Sequence, residues 1–183
     1  MSTENQTEAV KGAWLNLAIP VCVSLTAGIM AVSQVIGGNV QEAAVSTKQE
    51  IVDQWSFYQA KSIKQYMHKM QVTLLQLNLA RDKKVLASPD IKHYKDIIRE
   101  YENDIDRYEK EKNDIFKTAR GKEKENKIWN KKDDKFDMSN ALFAMSLSLM
   151  AITALTKFRP LFFISVGIAL TATTLVLQAF IIK

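Results

Sequence analysis

The sequence predicts an all-α membrane protein with three transmembrane helices and a long antiparallel coiled-coil helical hairpin between the first and the second. Three observations carry this expectation. First, three blocks contain no Asp, Glu, Lys or Arg: residues 13–36, 139–156 and 161–182. Second, all but six of the 45 charged residues lie between the first and second of these blocks. Third, isoleucine and tyrosine recur every seven residues in that charged middle, which between residues 39 and 138 holds one proline and one glycine.

The apolar blocks come first. A hydrocarbon core of about 30 Å needs roughly 20 apolar helical residues, so each block can span, the 18-residue second block being the shortest. Lys157, Phe158, Arg159 and Pro160 form a tight basic link between the second and third spans. Ahead of the first span, the leader of residues 1–12, MSTENQTEAVKG, carries two acidic residues and one basic residue. A signal peptide has a basic leader and an apolar stretch of only about 7–15 residues, so the first block reads as a retained span. The single cysteine, Cys22, lies within that span, which leaves no partner for an intrachain disulfide.

The middle, residues 37–138, holds 21 basic and 18 acidic residues, intermixed throughout. Such a surface is solvated and salt-bridged, and carboxylates interrupt every basic run, so no nucleic-acid partner is expected. Ser88, Pro89 and Asp90 have the chemistry of a helix start: a side-chain cap, a first-turn proline and an acid at the positive helix end. The arms on either side, residues 38–86 and 89–137, have 49 residues each, and equal arms return the chain to the membrane it left. In the second arm Ile91, Ile98 and Ile105 alternate with Tyr94, Tyr101, Tyr108 and Ile115 as a heptad seam, with Lys112 its one polar core position. The first arm offers Ala60, Ile63, Met67, Met70, Leu74 and Leu77 at spacings of three and four. Folding about residues 87–88 puts Leu77 level with Ile98, Leu74 with Tyr101 and Met70 with Ile105.

The stretch DQWSFYQAKSIKQ at residues 53–65 carries aromatics on more than one helix face. At about 100° per residue, Trp55, Tyr58 and Gln59 share a face and Phe57 lies about 200° from Trp55. The second arm can cover one of these faces only. Asp53, Trp55, Phe57, Tyr58, Gln59, Lys61 and Lys64 are therefore expected to form an oligomer or partner interface, with Phe57 between Asp53 and Lys61 in a subunit seam and Trp55 packed inside its own chain.

This run, Asp53-Gln54-Trp55-Ser56-Phe57-Tyr58-Gln59-Ala60-Lys61-Ser62, resembles the W-x-Y/F-Y-Q-A-K-S signature of the bacterial domain-of-unknown-function 4337 family. The likeness extends over nearly the whole chain: a first span ending in Gly37, Gly38 and Asn39, the signature, a charged helical middle, and Leu155-Thr156-Lys157-Phe158-Arg159-Pro160 between two spans. Ser56 and Phe57 depart from the expected pair such as Ala-Tyr. The resemblance implies a bacterial membrane protein, hence the inner membrane, and no activity.

No enzyme chemistry is expected. His68 and His93 are too far apart along the hairpin to share a metal, no Cys joins them, and the acidic residues read as exposed. Glycine-rich phosphate loops and the HExxH and GxSxG motifs are missing, so no catalytic residue, cofactor or metal is assigned. Within the spans, Gly167, Thr171, Thr174 and Gln178 make a polar stripe along the third, and Ala144, Ser148 and Ala151 a small-residue stripe along the second. Such stripes pack helices in lipid or line a pore. Two functions follow: a homo-oligomeric scaffold that projects the hairpin toward itself or a protein partner, or a subunit of an ion channel. Lys122, Lys124, Lys127, Lys131, Lys132 and Lys135 precede the second span, against Lys11, Lys157 and Arg159 on the other side, which puts the hairpin in the cytoplasm.

Overall fold

The computed structural model describes residues 3–81 and 91–182, with side chains from Trp14 onward. Three helices account for almost all of them: α1 (Thr3–Arg81), α2 (Ile91–Thr156) and α3 (Arg159–Ile181). Each contains a stretch long and apolar enough to cross a membrane. The expected helix start at Ser88, Pro89 and Asp90, and the turn at residues 87–88, lie outside the described residues. The chain divides into two units, one made of residues up to Val45 together with those from Asn126 on, the other of Ser46–Glu125.

The first unit contains all three apolar blocks. On α2 its buried positions are Asn126 and then Phe136, Ser139, Phe143, Ser146, Met150 and Thr153, the last six an unbroken alternation of three and four that keeps one face turned inward. Leu15, Ile19, Thr26, Ser33, Val40 and Ala44 do the same on α1, and Phe162, Ser165, Ala172 and Ala179 on α3. Small and hydroxyl-bearing residues fill much of this seam, letting backbones approach closely, as helices packed in lipid do. Gly37 marks a close approach: a Cβ there would stand 3.1 Å from Cβ of Phe136. Two apolar clusters flank the middle, Leu15–Ile19–Phe162 and Val40–Phe136–Ala179.

Pro20 lies inside α1 and cannot donate to the carbonyl four residues back, at Asn16. The Asn16 side chain nearby accepts from Lys157 Nζ at 2.6 Å. Lys157 itself takes the left-handed conformation, φ 57°, and its amide bonds the Thr153 carbonyl, closing α2 in one residue. Pro160 then sits in the first turn of α3, where its missing N–H costs nothing. The expected link of four residues is thus shorter than the sequence suggests, since Arg159 already belongs to α3.

In the second unit, contacts pair rising positions of α1 with falling positions of α2. Glu50 meets Lys122, Lys61 meets Glu111, Gln65 reaches the Ile105 carbonyl, and the His68 ring lies 4.9 Å from that of Tyr101. Every α2 seam residue expected from the heptads is at least half-buried, with Tyr108 the deepest. The α1 side differs from expectation. Ala60, Ile63, Met67, Met70, Leu74 and Leu77 all face outward, and the inward face includes Ile51, Gln54, Trp55, Tyr58, Lys61, Gln65, His68, Val72, Leu75 and Leu79. Met70 is therefore not level with Ile105, nor Leu74 with Tyr101; Gln65 and His68 hold those places. The physical reason lies in α2, whose tyrosines and acids give polar α1 side chains enough partners to be buried.

Candidate interaction surface

Residues 53–64 sit on α1 in the second unit, and the helix divides them between two faces. Trp55 points inward: its Nε1–H donates to Glu123 Oε1 at 3.1 Å, and its ring meets Tyr58 and Phe116 edge to face at 5.6 and 5.8 Å. Arg120 covers both Trp55 and Phe116, at 5.9 and 5.4 Å from the ring centres. Tyr58 shares this cluster and has Lys112 Nζ over its ring at 5.6 Å.

Lys61 belongs to the inward face as well. It pairs with Glu111 and lies 5.3 Å from the Tyr108 ring centre. Lys61, expected beside Phe57 in a seam between subunits, thus has partners on α2 within its own chain. Hydrogen bonding from Lys61, aided by Arg107 and Lys64, holds the Glu111 carboxyl below the usual carboxylate range. Asp53, Phe57, Gln59 and Lys64 face outward, Phe57 with 59% of its surface exposed. The seven expected interface residues therefore split three and four between the intrachain contact and the open surface.

Below this cluster lies a polar layer that sequence reasoning did not single out. Gln65, only 5% exposed, donates to the Ile105 carbonyl at 3.2 Å and to Glu109 at 2.8 Å, and accepts from Lys112 at 2.9 Å. Glu109 is held below the ordinary carboxylate range by the Gln65 hydrogen bond first and Lys112 second. One turn further, His68 is wedged between Tyr101 and Tyr108, with Nδ1 3.6 Å from Asp104. The one available signal was Lys112 at a core heptad position, which requires buried acceptors opposite it. Near the other end of the unit, the hydrogen bonds that Lys122 donates to Glu50 first and Glu125 second raise its ammonium above the usual range.

In the first unit, Gly167, Thr171, Thr174 and Gln178 share one face of α3, as the sequence predicts, and that face is the exposed one. Both threonine hydroxyls donate to carbonyls of their own helix, Ile168 and Thr171, and Gln178 accepts from Lys135 at 3.4 Å. Ala144, Ser148 and Ala151 on α2 are likewise exposed, so neither stripe packs the spans of one chain together. Among the described residues, no three His, Cys, Asp or Glu side chains converge as metal ligands.

The described residues thus form three helices, each with a stretch long and apolar enough to cross a membrane, and the first two also carry the charged middle of the sequence. The family model described as "Domain of unknown function (DUF4337)" matches residues 15–182, and the chain belongs to that family. No curated protein and no solved structure matches it.

Proposed function

We propose that the protein is a homo-oligomeric membrane scaffold that projects an antiparallel coiled-coil hairpin from the bilayer and performs no catalysis. The observation that carries this reading is the division of the aromatic stretch: Trp55 and Tyr58 are spent on α2, while Phe57 stands in water on the opposite face. The seven-residue spacing of inward positions on α2 supports the coiled-coil description. Lys61–Glu111 and Lys122–Glu50 support the antiparallel pairing. The three spans lie in a bacterial inner membrane, and the lysines at 122–135 favour a cytoplasmic hairpin by the bias of positive residues to that side.

Native mass spectrometry of the full chain in nanodiscs tests the scaffold. A discrete multimer is expected, and a monomer at micromolar concentration overturns the reading. A second reading, a channel subunit lined by Gly167, Thr171, Thr174 and Gln178, draws on the outward face of that stripe. Because the two threonine hydroxyls already bond their own helix, the stripe does not require water, which favours contact between copies. Conductance in planar bilayers separates the two: a silent multimer supports the scaffold, and unitary currents lost in Thr174→Val support the channel.

A further inference from the structure

We infer that the outward stripe of α1, Ile63, Met67, Met70, Leu74 and Leu77 with Tyr66 beside it, is the seam along which a second copy of this chain packs, parallel and in register. The inference rests on the scaffold reading and specifies its contact.

Each of these six side chains has half or more of its surface in water. Together they present on the order of 600 Å² per copy, three-quarters of the roughly 800 Å² that one side of a standard interface buries. An exposed apolar patch of this size on a charged segment marks a contact site. Nothing comparable exists on α2 within the same unit: from Ile91 to Glu125, Phe116 alone among the large hydrophobics of the described residues is exposed, at 40%, and it already packs on Trp55. The apolar match for one α1 stripe is therefore the α1 stripe of another copy.

Spacing and charge argue for the parallel arrangement. Ala60, Met67 and Leu74 fall at one heptad core position and Ile63, Met70 and Leu77 at the other, an uninterrupted three–four alternation over residues 60–77. Copies inserted into one membrane with the same orientation bring their α1 helices together pointing the same way. In that arrangement the flanking residues meet as Gln59 with Lys64, Tyr66 with Gln71 and Thr73 with Asn78 of the second copy, pairs that can hydrogen-bond and contain no like charges. A shallow depression rimmed by Tyr66, Lys69, Met70, Thr73 and Leu74 gives an incoming side chain a seat.

The test uses the full chain in nanodiscs and two double variants, Met67→Glu with Leu74→Glu and Met67→Lys with Leu74→Lys. Each alone brings like charges together across a parallel pair and should weaken the multimer by about 100-fold or more in dissociation constant. Mixed one to one, the acidic and basic copies should reassociate, because each charge then meets its opposite at the same level. Loss without rescue overturns the in-register self-contact in favour of a different protein on this face, and variants that stay multimeric overturn the stripe while leaving the scaffold standing. A monomeric wild type removes both. Leu74→Cys in a Cys22→Ser background supplies a readout free of any folding defect: oxidation should give a disulfide between chains, whereas Val72→Cys, turned toward α2, should not. Equal yields from the two would sink the inference.

Discussion

The two units of this chain hold their helices together by opposite means. In the first, the seam is Ser33, Gly37, Ser139, Ser146, Thr153, Ser165, Ala172 and Ala179 interleaved with a few large residues such as Phe136, Phe143 and Met150. In the second, it is Trp55, Tyr58, Gln65, His68, Tyr101, Tyr108 and Lys112, with charged partners around them. The difference teaches what each solvent rewards. On the proposed membrane reading the hydrophobic effect gives no drive between helices of the first unit, so close backbone approach and dispersion must serve. In water, large rings bury apolar area while their polar edges and the surrounding ions stay satisfied.

Substitutions can break or sharpen that contrast. The largest effect is expected from Trp55→Ala, which removes three ring contacts and the hydrogen bond to Glu123. Half-burial puts the cost near the lower end of aromatic truncations, about 3 kcal/mol. Hydrogen exchange should quicken between residues 46 and 125 and remain unchanged between 13 and 36; equal acceleration in both would erase the distinction between the units.

Next comes Gly37→Val. The added carbons collide with Phe136, whose Cβ and Cγ would stand 3.1 and 3.4 Å away. Overpacking of this kind costs about 1–3 kcal/mol, read as a lower melting temperature in detergent. Gly28→Val is the control, since nothing lies within 4 Å of a Cβ there. If both glycines tolerate valine equally, close approach is not what holds the first unit.

A smaller effect concerns pH. Glu109 and Glu111 have carboxyls held below their ordinary range by Gln65 and Lys61. A depressed carboxylate contributes stability that is present above its unfolded pKa, about 4.3, and is lost as pH falls through the folded value. Between neutral pH and about pH 3 the second unit should therefore lose thermal stability. Replacing both acids by Gln should flatten that dependence, and an unaltered pH profile would show the pairs to be inconsequential. The smallest change is expected from Lys61→Met, which deletes a partly exposed ion pair but keeps the stem on Tyr108; below about 1 kcal/mol is expected in denaturant titration.

Sequence reasoning reached the α2 half of this design and missed the α1 half, for a definite reason. On α2 the isoleucines and tyrosines at seven-residue spacing are the apolar residues and are also the inward ones. On α1 the two properties separate. Ile63, Met67, Met70, Leu74 and Leu77 are the periodic apolar set, yet Gln65, His68 and Lys61 are the residues turned toward α2. Periodicity finds an apolar face without saying what covers it. Burial of Gln65 depends on Glu109, Lys112 and the Ile105 carbonyl, 40 or more positions away, and no local pattern carries that information. The three apolar blocks were legible because hydrocarbon imposes a length and a composition at once. The exposed position of Thr171 and Thr174 was not, since a polar stripe looks the same whether it faces a helix or the surroundings.

The hydroxyl groups of the first unit bear on the order in which the protein is made. Ser139, Thr153 and Ser165 donate to carbonyls three or four residues back on their own helices. A hydroxyl satisfied in this way carries its partner with it, so on the proposed membrane reading each span can enter the bilayer alone before meeting its neighbours. Two bonds run between helices instead: the Ser33 and Ser139 hydroxyls meet at 3.4 Å, and the Ser146 hydroxyl donates across to the Ser165 carbonyl at 2.7 Å. The Ser146 bond can form only once α3 has arrived, so on the same membrane reading the second span is completed by the third, and a chain stopped after Thr156 would hold a span still lacking its partner.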